Sequence, residues 1–126
     1  MPHIHEEIDF TVVVYIIHQG KVLLIYHKEL QKWLPIGGHI ELNEDPEQAV
    51  YREAKEESGL EVEVYGRKPP FNSDTFQSLL PPIYLDIHRI NAKHRHLGMV
   101  YFARVKSGDI RLNEEEHDAI QWFTMN

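Results

Sequence analysis

The segment DPEQAVYREAKEES, residues 45–58, is the one stretch of this chain that strongly predicts a helix. Asp45 suits the N-cap and Pro46 the first helical position, and Gln48 completes a capping-box pattern. Gly59 suits the residue that follows the last turn. One helix among about six predicted strands indicates an α+β fold with a mixed sheet.

Apolar and alternating segments on either side of the helix predict about six strands. Residues 9–17, DFTVVVYII, are apolar at both alternating sets of positions, which predicts a strand covered on both faces. A long loop is predicted at 66–82, and it is the segment we expect to select the substrate. No repeat or linker divides the chain, so we expect one domain over residues 1–126. The other predicted strands are 22–27, 60–66, 83–90, 97–105 and 119–125, with connections at 91–96 and 108–118.

The composition narrows the classes of partner. The 126 residues include no cysteine, which excludes a disulfide framework and a thiolate metal site. No apolar run approaches the roughly 20 residues of a membrane-spanning helix, and the polar start differs from a signal peptide, so we expect a cytoplasmic protein without a membrane partner. The formal charge of −7 disfavours a long nucleic acid, whereas a small phosphorylated ligand stays compatible if a cation is bound.

Three glutamates crowd one side of the predicted helix. At about 100° per residue, Glu53, Glu56 and Glu57 share an arc about 100° wide, in which like charges repel. The arc lies beside the apolar stripe, so we expect the carboxylates at the border of the fold, partly shielded, with Arg52 on the outer side. A divalent cation would relieve the repulsion, and oxygen ligands suit Mg²⁺ or Mn²⁺. A solvated acidic face is the alternative that the helix alone leaves open.

A wider pattern surrounds these glutamates within residues 38–60. Gly38 is followed six residues later by Glu44, then by Arg52-Glu53, Glu56-Glu57 and Gly59-Leu60. This spacing resembles the signature of the Nudix hydrolase family (MutT-like), and all of the fixed positions of that signature are present. The preceding WLPIGG is also similar to the family. Ala54 departs mildly from the pattern, because the family usually has a bulky residue there.

The resemblance implies a fold and an activity. The fold would be a Nudix-type mixed sheet with one long helix, in an α/β/α sandwich. The family usually adds a C-terminal helix that this sequence does not predict. A homodimer or a partly open sheet face is our expectation in its place. The activity would be divalent-metal-dependent hydrolysis of a diphosphate bond in a nucleoside diphosphate derivative, by attack of water at phosphorus.

The resemblance also implies roles for individual residues. Glu53, Glu56 and Glu57 would be the ligands of Mg²⁺ or Mn²⁺, and the carbonyl of Gly38 or of its neighbour Gly37 would complete the set. Arg52 would orient a ligand carboxylate, and Glu44 would brace the loop before the helix. The general base stays open between Glu56, Glu57 and the later run Glu114, Glu115 and Glu116, for which Glu115 is the central candidate.

Nine histidines raise the question of a second metal site. His3 and His5, and likewise His94 and His96, would share one face of an extended segment. The sequence shows no convergent set of three or four ligands, so surface histidines are the preferred interpretation over zinc. His94, Arg95 and His96 would alternatively contact a substrate phosphate, as would Arg89 and Lys93.

Three other functions compete with hydrolysis. A non-catalytic Nudix-fold module that binds or senses a nucleotide is the main alternative, although such a module would not need all three glutamates. An isoprenyl diphosphate isomerase would require a cysteine, which the chain lacks. An acidic interaction surface would have no tight site for Mg²⁺ or Mn²⁺.

Overall fold

The computed structural model describes residues 7–113 and 117–125, which form one helix and eight strands. Eight of the nine elements are strands because β-branched and alternating segments dominate the sequence on both sides of the helix. The elements are β1 (Ile8–His18), β2 (Lys21–His27), β3 (Lys32–Leu34), β4 (Ile36–His39), α1 (Pro46–Ser58), β5 (Glu61–Val64), β6 (Tyr84–Asn91), β7 (His94–Ser107) and β8 (His117–Thr124).

The eight strands form one mixed sheet around a long parallel pair. β1 and β7 run parallel in continuous register from Ile8 opposite Arg95 to Ile17 opposite Arg104. The main strand order is β3-β2-β1-β7-β5; β4 pairs with β1, β6 with β7 and β8 with β2, all antiparallel. This arrangement confirms the predicted α+β mixed sheet. It also brings both ends of the chain's described part to the same sheet.

Helix α1 begins and ends where the sequence predicts. The Asp45 side chain accepts a hydrogen bond from the Gln48 backbone at 2.9 Å, and the Gln48 side chain accepts one from the Asp45 backbone at 2.9 Å. Gly59 adopts a left-handed conformation with φ of 79°, which a glycine accepts without steric cost. Its N–H donates to the Lys55 carbonyl at 2.9 Å and closes the last turn.

The core lies between α1 and one face of the sheet. In the middle of β1 every second residue is fully buried there, namely Val12, Val14 and Ile16. The intervening residues, such as Val13 and Tyr15, stay partly exposed. The expectation of a strand covered equally on both faces was therefore wrong, since only the face toward α1 is sealed. Other core residues are Leu23, Ile25, Ile36, Ala49, Val50, Ala54, Leu60, Val62, Val64, Tyr101 and Ala103.

Several boundaries differ from the sequence prediction. Residues 32–34 and 36–39 form two short strands, β3 and β4, in addition to the six strands that the sequence predicts. Strand β7 begins at His94, so the predicted connection 91–96 is in fact a tight hairpin turn. No part of residues 7–113 or 117–125 besides α1 is helical. None of these residues forms a helix with the length and hydropathy that crossing a bilayer demands.

Candidate active site

Two of the three glutamates lie on the buried side of α1. Ala49, Glu53 and Glu57 follow one another at four-residue intervals and therefore form one row along the helix. Glu53 is 9% exposed and Glu57 is 2% exposed, whereas the Glu56 side chain is 57% exposed. The predicted position at the border of the fold was wrong for Glu53 and Glu57, because the row that carries them faces the sheet. Burying a carboxylate is costly unless partners compensate it.

Arg52 is the first of these partners. Its Nε and Nη2 donate to the two carboxylate oxygens of Glu44 at 2.7 and 2.9 Å, a bidentate arrangement. Its Nη1 donates to Glu53 at 2.6 Å and to Glu56 at 3.2 Å, and its Nη2 also donates to the His39 carbonyl at 3.0 Å. The expected outer position of Arg52 was wrong, since its side chain is only 22% exposed.

Glu44 and Arg52 shift each other's pKa. The hydrogen bond from Arg52 holds the pKa of Glu44 below its usual value, and the same bond raises the pKa of Arg52. Glu44 also accepts from the Glu41 backbone at 3.1 Å, which fixes the loop before α1. Both groups therefore stay ionised at neutral pH, and the guanidinium holds the Glu53 carboxylate in place.

Two consecutive glycines of β4 let this strand approach the helix and β1 closely. A Cβ atom on Gly38 would lie 2.7 Å from Oε1 of Glu53, and one on Gly37 would lie 2.3 Å from the Val12 carbonyl oxygen. At Gly37 only glycine fits, because the close atom belongs to the backbone. At Gly38 the Glu53 carboxylate packs directly against the backbone.

The Glu57 carboxylate meets a histidine from the last strand. Nε2 of His117 lies 2.9 Å from Oε2 of Glu57, and both side chains are buried. The connection between β7 and β8 is attached to the C-terminal end of α1, since the Arg111 N–H donates to the Ser58 carbonyl at 2.7 Å. The predicted base Glu115, with Glu114 and Glu116, lies outside the described residues.

These residues lie at one end of a cleft of about 410 Å³. Glu57, His117 and the β4 residues Gly37 and Gly38 line that end. Apolar and aromatic side chains, such as those of Val13 and Tyr15, form other parts of its wall. Its volume and its few convergent polar groups are typical of a small-molecule site. Further polar residues in its lining are His39, which directly follows Gly38, and His88, His96, Asp86 and Tyr84.

The three glutamates fit a hard divalent cation by ligand type. They supply carboxylate oxygens on one side of a helix, and a backbone without a Cβ borders one of them. Arg52 uses only one oxygen of Glu53 and one of Glu56, which leaves the second oxygen of each carboxylate out of these bonds. Among the described residues, the one group of three side chains with ligand atoms mutually within 4.8 Å lies elsewhere, at Asp9, His94 and His96.

Other residues singled out from the sequence fall outside this end of the cleft. Arg89, Lys93 and Arg95 line a separate cavity of about 320 Å³, because Arg95 points to the opposite face of β7 from His94 and His96. The loop 66–82, expected to select the substrate, does not line the cleft. Instead the Leu80 N–H donates to Glu47 at 2.6 Å, which ties the loop to the start of α1. His3 and His5 lie outside the described residues.

Sequence reasoning missed two contributors. His117 is distant from Glu57 in the chain and was assigned to the loop before the last predicted strand. Asp9 is the second residue of β1 and was treated only as part of a strand. The one weak signal in both cases is a polar residue next to the start of an apolar strand.

A glutamate-bearing helix packed on a mixed sheet, with the β4 glycines against one carboxylate and a cleft alongside, defines an α+β fold with a candidate small-molecule site. The family follows from comparison. The profile described as NUDIX domain matches residues 8–126, so the chain belongs to the Nudix family and is a Nudix-type pyrophosphohydrolase acting on acid anhydrides.

Solved structures agree with this assignment. A hydrolase of the Nudix family from Clostridium perfringens is 36% identical over 92% of this chain and 81% of that chain, with a TM-score of 0.79. A MutT Nudix hydrolase from Burkholderia pseudomallei is 27% identical over 94% and 84%, with a TM-score of 0.75. An ADP-ribose pyrophosphatase from Streptococcus suis, 19% identical over 92% and 73% with a TM-score of 0.61, shares the fold. No curated protein matches the chain in sequence.

Proposed function

We propose that this protein hydrolyses a diphosphate bond in a nucleoside diphosphate derivative, by attack of water at phosphorus, with Mg²⁺ or Mn²⁺ as cofactor. One observation carries the proposal: α1 buries Glu53 and Glu57 instead of exposing them, and Glu57 lines an open cleft. Apolar residues at these positions would stabilise a helix that packs on a sheet. Buried carboxylates beside a cleft are the ligands that a cation serving an anionic substrate requires.

Glu53, Glu56 and Glu57 would hold the ion, with the Gly38 carbonyl as a further ligand. When bound, such an ion neutralises diphosphate oxygens, lowers the pKa of water and stabilises the leaving group. Arg52 is a positioning residue, since it holds Glu53 and Glu56 through one nitrogen while Glu44 fixes its guanidinium. Phosphoryl transfer depends mainly on positioning and charge, which this network supplies.

The proton of the attacking water needs an acceptor. We propose the Glu57 carboxylate, because His117 fixes its orientation at 2.9 Å and it faces the cleft. The water oxygen forms the new bond to phosphorus, the bridging phosphoanhydride bond breaks, and the water proton passes to the carboxylate. Glu56 and Glu115 stay alternative bases, and removing each in turn separates the three.

The substrate class rests on the shape and charge of the cleft. The acidic end suits a diphosphate with its cation, and the apolar parts of the wall suit a nucleoside. Two solved structures that share the fold are named an ADP-ribose pyrophosphatase and a UDP-X diphosphatase, and the substrate part common to those names is a nucleoside diphosphate. The UDP-X diphosphatase is matched over 50% of its own length, so we propose only this shared chemistry.

The test is a panel of nucleoside diphosphate derivatives incubated with Mg²⁺ and assayed for phosphate or nucleoside monophosphate release. Glu57→Gln should lower turnover by about 100-fold or more, the usual effect of losing a general base. Glu29→Gln, which changes an exposed glutamate in the turn after β2, is the matched control and should retain turnover. Nucleotide binding without hydrolysis by the parent protein would favour the sensing module instead.

Four further predictions accompany this proposal. We propose that residues 1–126 act as one domain, that the protein is cytoplasmic, and that neither a long nucleic acid nor a membrane is its partner. We also propose a homodimer, because Leu85 and Ile87 of β6 stay largely exposed and do not line the cleft. Sedimentation velocity of the intact chain tests the dimer, and a single species with the mass of one chain would contradict it.

A further inference from the structure

A cluster of imidazoles surrounds one carboxylate where the start of β1 meets the end of β4 and the start of β7. Oδ2 of Asp9 lies 3.0 Å from Nε2 of His94 and 3.2 Å from Nε2 of His39. The ring of His96 lies 5.0 Å from that of His39 and 5.1 Å from that of His94. We call Asp9, His39, His94 and His96 the histidine cluster. It is separate from the glutamates of α1, because it belongs to the sheet.

The sheet register brings the histidine cluster together. Asp9 of β1 lies directly opposite His96 of β7 in the parallel pair. His94 precedes His96 by two residues and therefore lies on the same face of β7. His39 ends β4, whose register places it opposite Thr11, two residues along β1 from Asp9. Three hydrogen-bonded strands thus fix the backbone positions of the four residues relative to one another.

The spacing of the ligand atoms suits a tetrahedral metal ion. Zinc–ligand bonds of about 2.0–2.1 Å place neighbouring ligand atoms about 3.3 Å apart in a tetrahedron. The distances from Oδ2 of Asp9 to Nε2 of His94 and of His39, 3.0 and 3.2 Å, are close to that separation. One ligand atom each from Asp9, His94 and His96 lies within 4.8 Å of the others, so closure around an ion requires a shift of about 1.5 Å at most.

The ligand types select the kind of ion. Three imidazoles and one carboxylate suit Zn²⁺ and neighbouring transition metals, whereas Mg²⁺ prefers oxygen ligands. Burial and the neighbouring imidazoles of His39, His94 and His88 lower the pKa of His96. A phosphate or other anion at this place would meet the carboxylates of Asp9 and Asp86, which lies 3.4 Å from His88. The charges therefore favour a cation over an anion.

We propose that Asp9, His94 and His96, with His39 as the fourth ligand, bind one divalent transition-metal ion of the Zn²⁺ type. The ion would join the start of β1, the end of β4 and the start of β7, which lie next to one another. It would lie beside the wall that His39 and His96 contribute to the cleft. The site differs from the proposed hydrolytic cation in ligand chemistry, and it adjoins the glutamate network because the His39 carbonyl accepts a hydrogen bond from Arg52.

The test uses the full chain without a histidine tag, first dialysed against a chelator. Co²⁺ is the probe, because its visible absorption reports tetrahedral coordination. We expect one equivalent to give strong absorption that Zn²⁺ displaces. His94→Gln and His96→Gln should each weaken the affinity by at least tenfold, since changes to outer-shell residues alone cost about 10–100-fold. A rise of the thermal midpoint with Zn²⁺ in the parent should disappear in both variants.

Three variants separate this site from its alternatives. His18→Gln changes a histidine at the other end of β1 and should bind Co²⁺ like the parent. A His3→Gln/His5→Gln double variant should also keep the affinity, as should Glu57→Gln, whose Co²⁺ spectrum should be unchanged. Loss of binding in the double variant together with retention in His94→Gln would assign the metal to the N-terminal histidines and overturn the proposal.

The proposal stays falsifiable if one variant fails to fold. Circular dichroism in chelator checks each fold. His39→Gln changes an exposed side chain at the end of β4, where little packing is lost, and it should alter the Co²⁺ spectrum. Parent-like affinity and spectrum in both His39→Gln and His94→Gln would refute the site. Because Mg²⁺-dependent turnover is measured separately, that result would leave the hydrolase proposal standing.

Discussion

Replacing Arg52 by lysine gives a direct measure of the network that holds the glutamates. The guanidinium makes five hydrogen bonds, two to Glu44 and one each to Glu53, Glu56 and the His39 carbonyl. A lysine ammonium keeps the positive charge but donates from a single atom and cannot form the bidentate pair. The Arg52→Lys variant therefore removes the bidentate hydrogen bonds while it preserves the positive charge.

The expected cost follows from burial. The Arg52 and Glu44 side chains are 22% and 10% exposed, so water compensates little for a lost bond. A hydrogen bond to a charged group contributes about 1.5–3 kcal/mol, whereas an exposed ion pair contributes about 0–1 kcal/mol. Because the variant loses at least one hydrogen bond to a charged group, we expect its free energy of unfolding to fall by about 2 kcal/mol.

The assay is urea unfolding in chelator, followed by tryptophan fluorescence and extrapolated linearly to water. Chelator removes any contribution of a bound metal ion. A double-mutant cycle with Glu44→Gln isolates the pair, and we expect a coupling energy of about 1–2 kcal/mol.

An exposed arginine pair provides the control. Nη2 of Arg104 lies 2.5 Å from Glu63, a shorter contact than any in the Arg52 network, yet the two side chains are 58% and 53% exposed. Arg104→Lys should therefore cost less than about 0.5 kcal/mol. Equal costs at Arg52 and Arg104, or no coupling between Arg52 and Glu44, would refute the reasoning from burial.

Three other predictions concern the stability of the protein and its turnover. Gly37→Ala should lower the free energy of unfolding by about 1–3 kcal/mol, because its Cβ would lie 2.3 Å from the rigid Val12 carbonyl; an unchanged value would contradict this. Burial raises the pKa of Tyr101 to about 12, so the stability that its neutral phenol contributes is complete below pH 10 and is lost as the pH rises toward 12. Tyr101→Phe should lack that loss in thermal midpoints recorded from pH 9 to 12, and identical pH profiles would be evidence against it. His117→Gln should reduce both stability, by about 1–3 kcal/mol, and turnover, since it removes the 2.9 Å contact to Glu57; a loss of stability alone would show that the histidine has no part in the reaction.

The parts of the fold that local chemistry determines were predictable. The capping residues of α1 lie within three positions of one another, and Gly59 occupies the left-handed position that its location predicts. The β1–β2 hairpin turns at Gln19 and Gly20, both with positive φ. The pattern of Glu53, Glu56 and Glu57 also predicted the family, because that signature lies within one helix and its approach.

The parts that depend on distant pairing were not predictable. Whether a helix face is buried depends on which strands lie beneath it, and β1 and β7 are joined only in the folded sheet. That is why Glu53 and Glu57 were expected at a border and are found inside. His117 contacts Glu57 across a sequence separation of 60 residues. Asp9 and His96 likewise become neighbours through a parallel register that no local pattern encodes.

The buried row on α1 shows where local preference and function disagree. Ala49, Glu53 and Glu57 occupy equivalent positions one turn apart, and only the first is apolar. Burial of an ion pair is often no better for stability than apolar packing, so the network around Glu53 and Glu57 is poorly explained as a stabilising device. A site that must hold cationic charge beside an anionic substrate has a use for carboxylates that water cannot fully screen. The conflict within the helix is therefore itself an argument that this end of the cleft carries the chemistry.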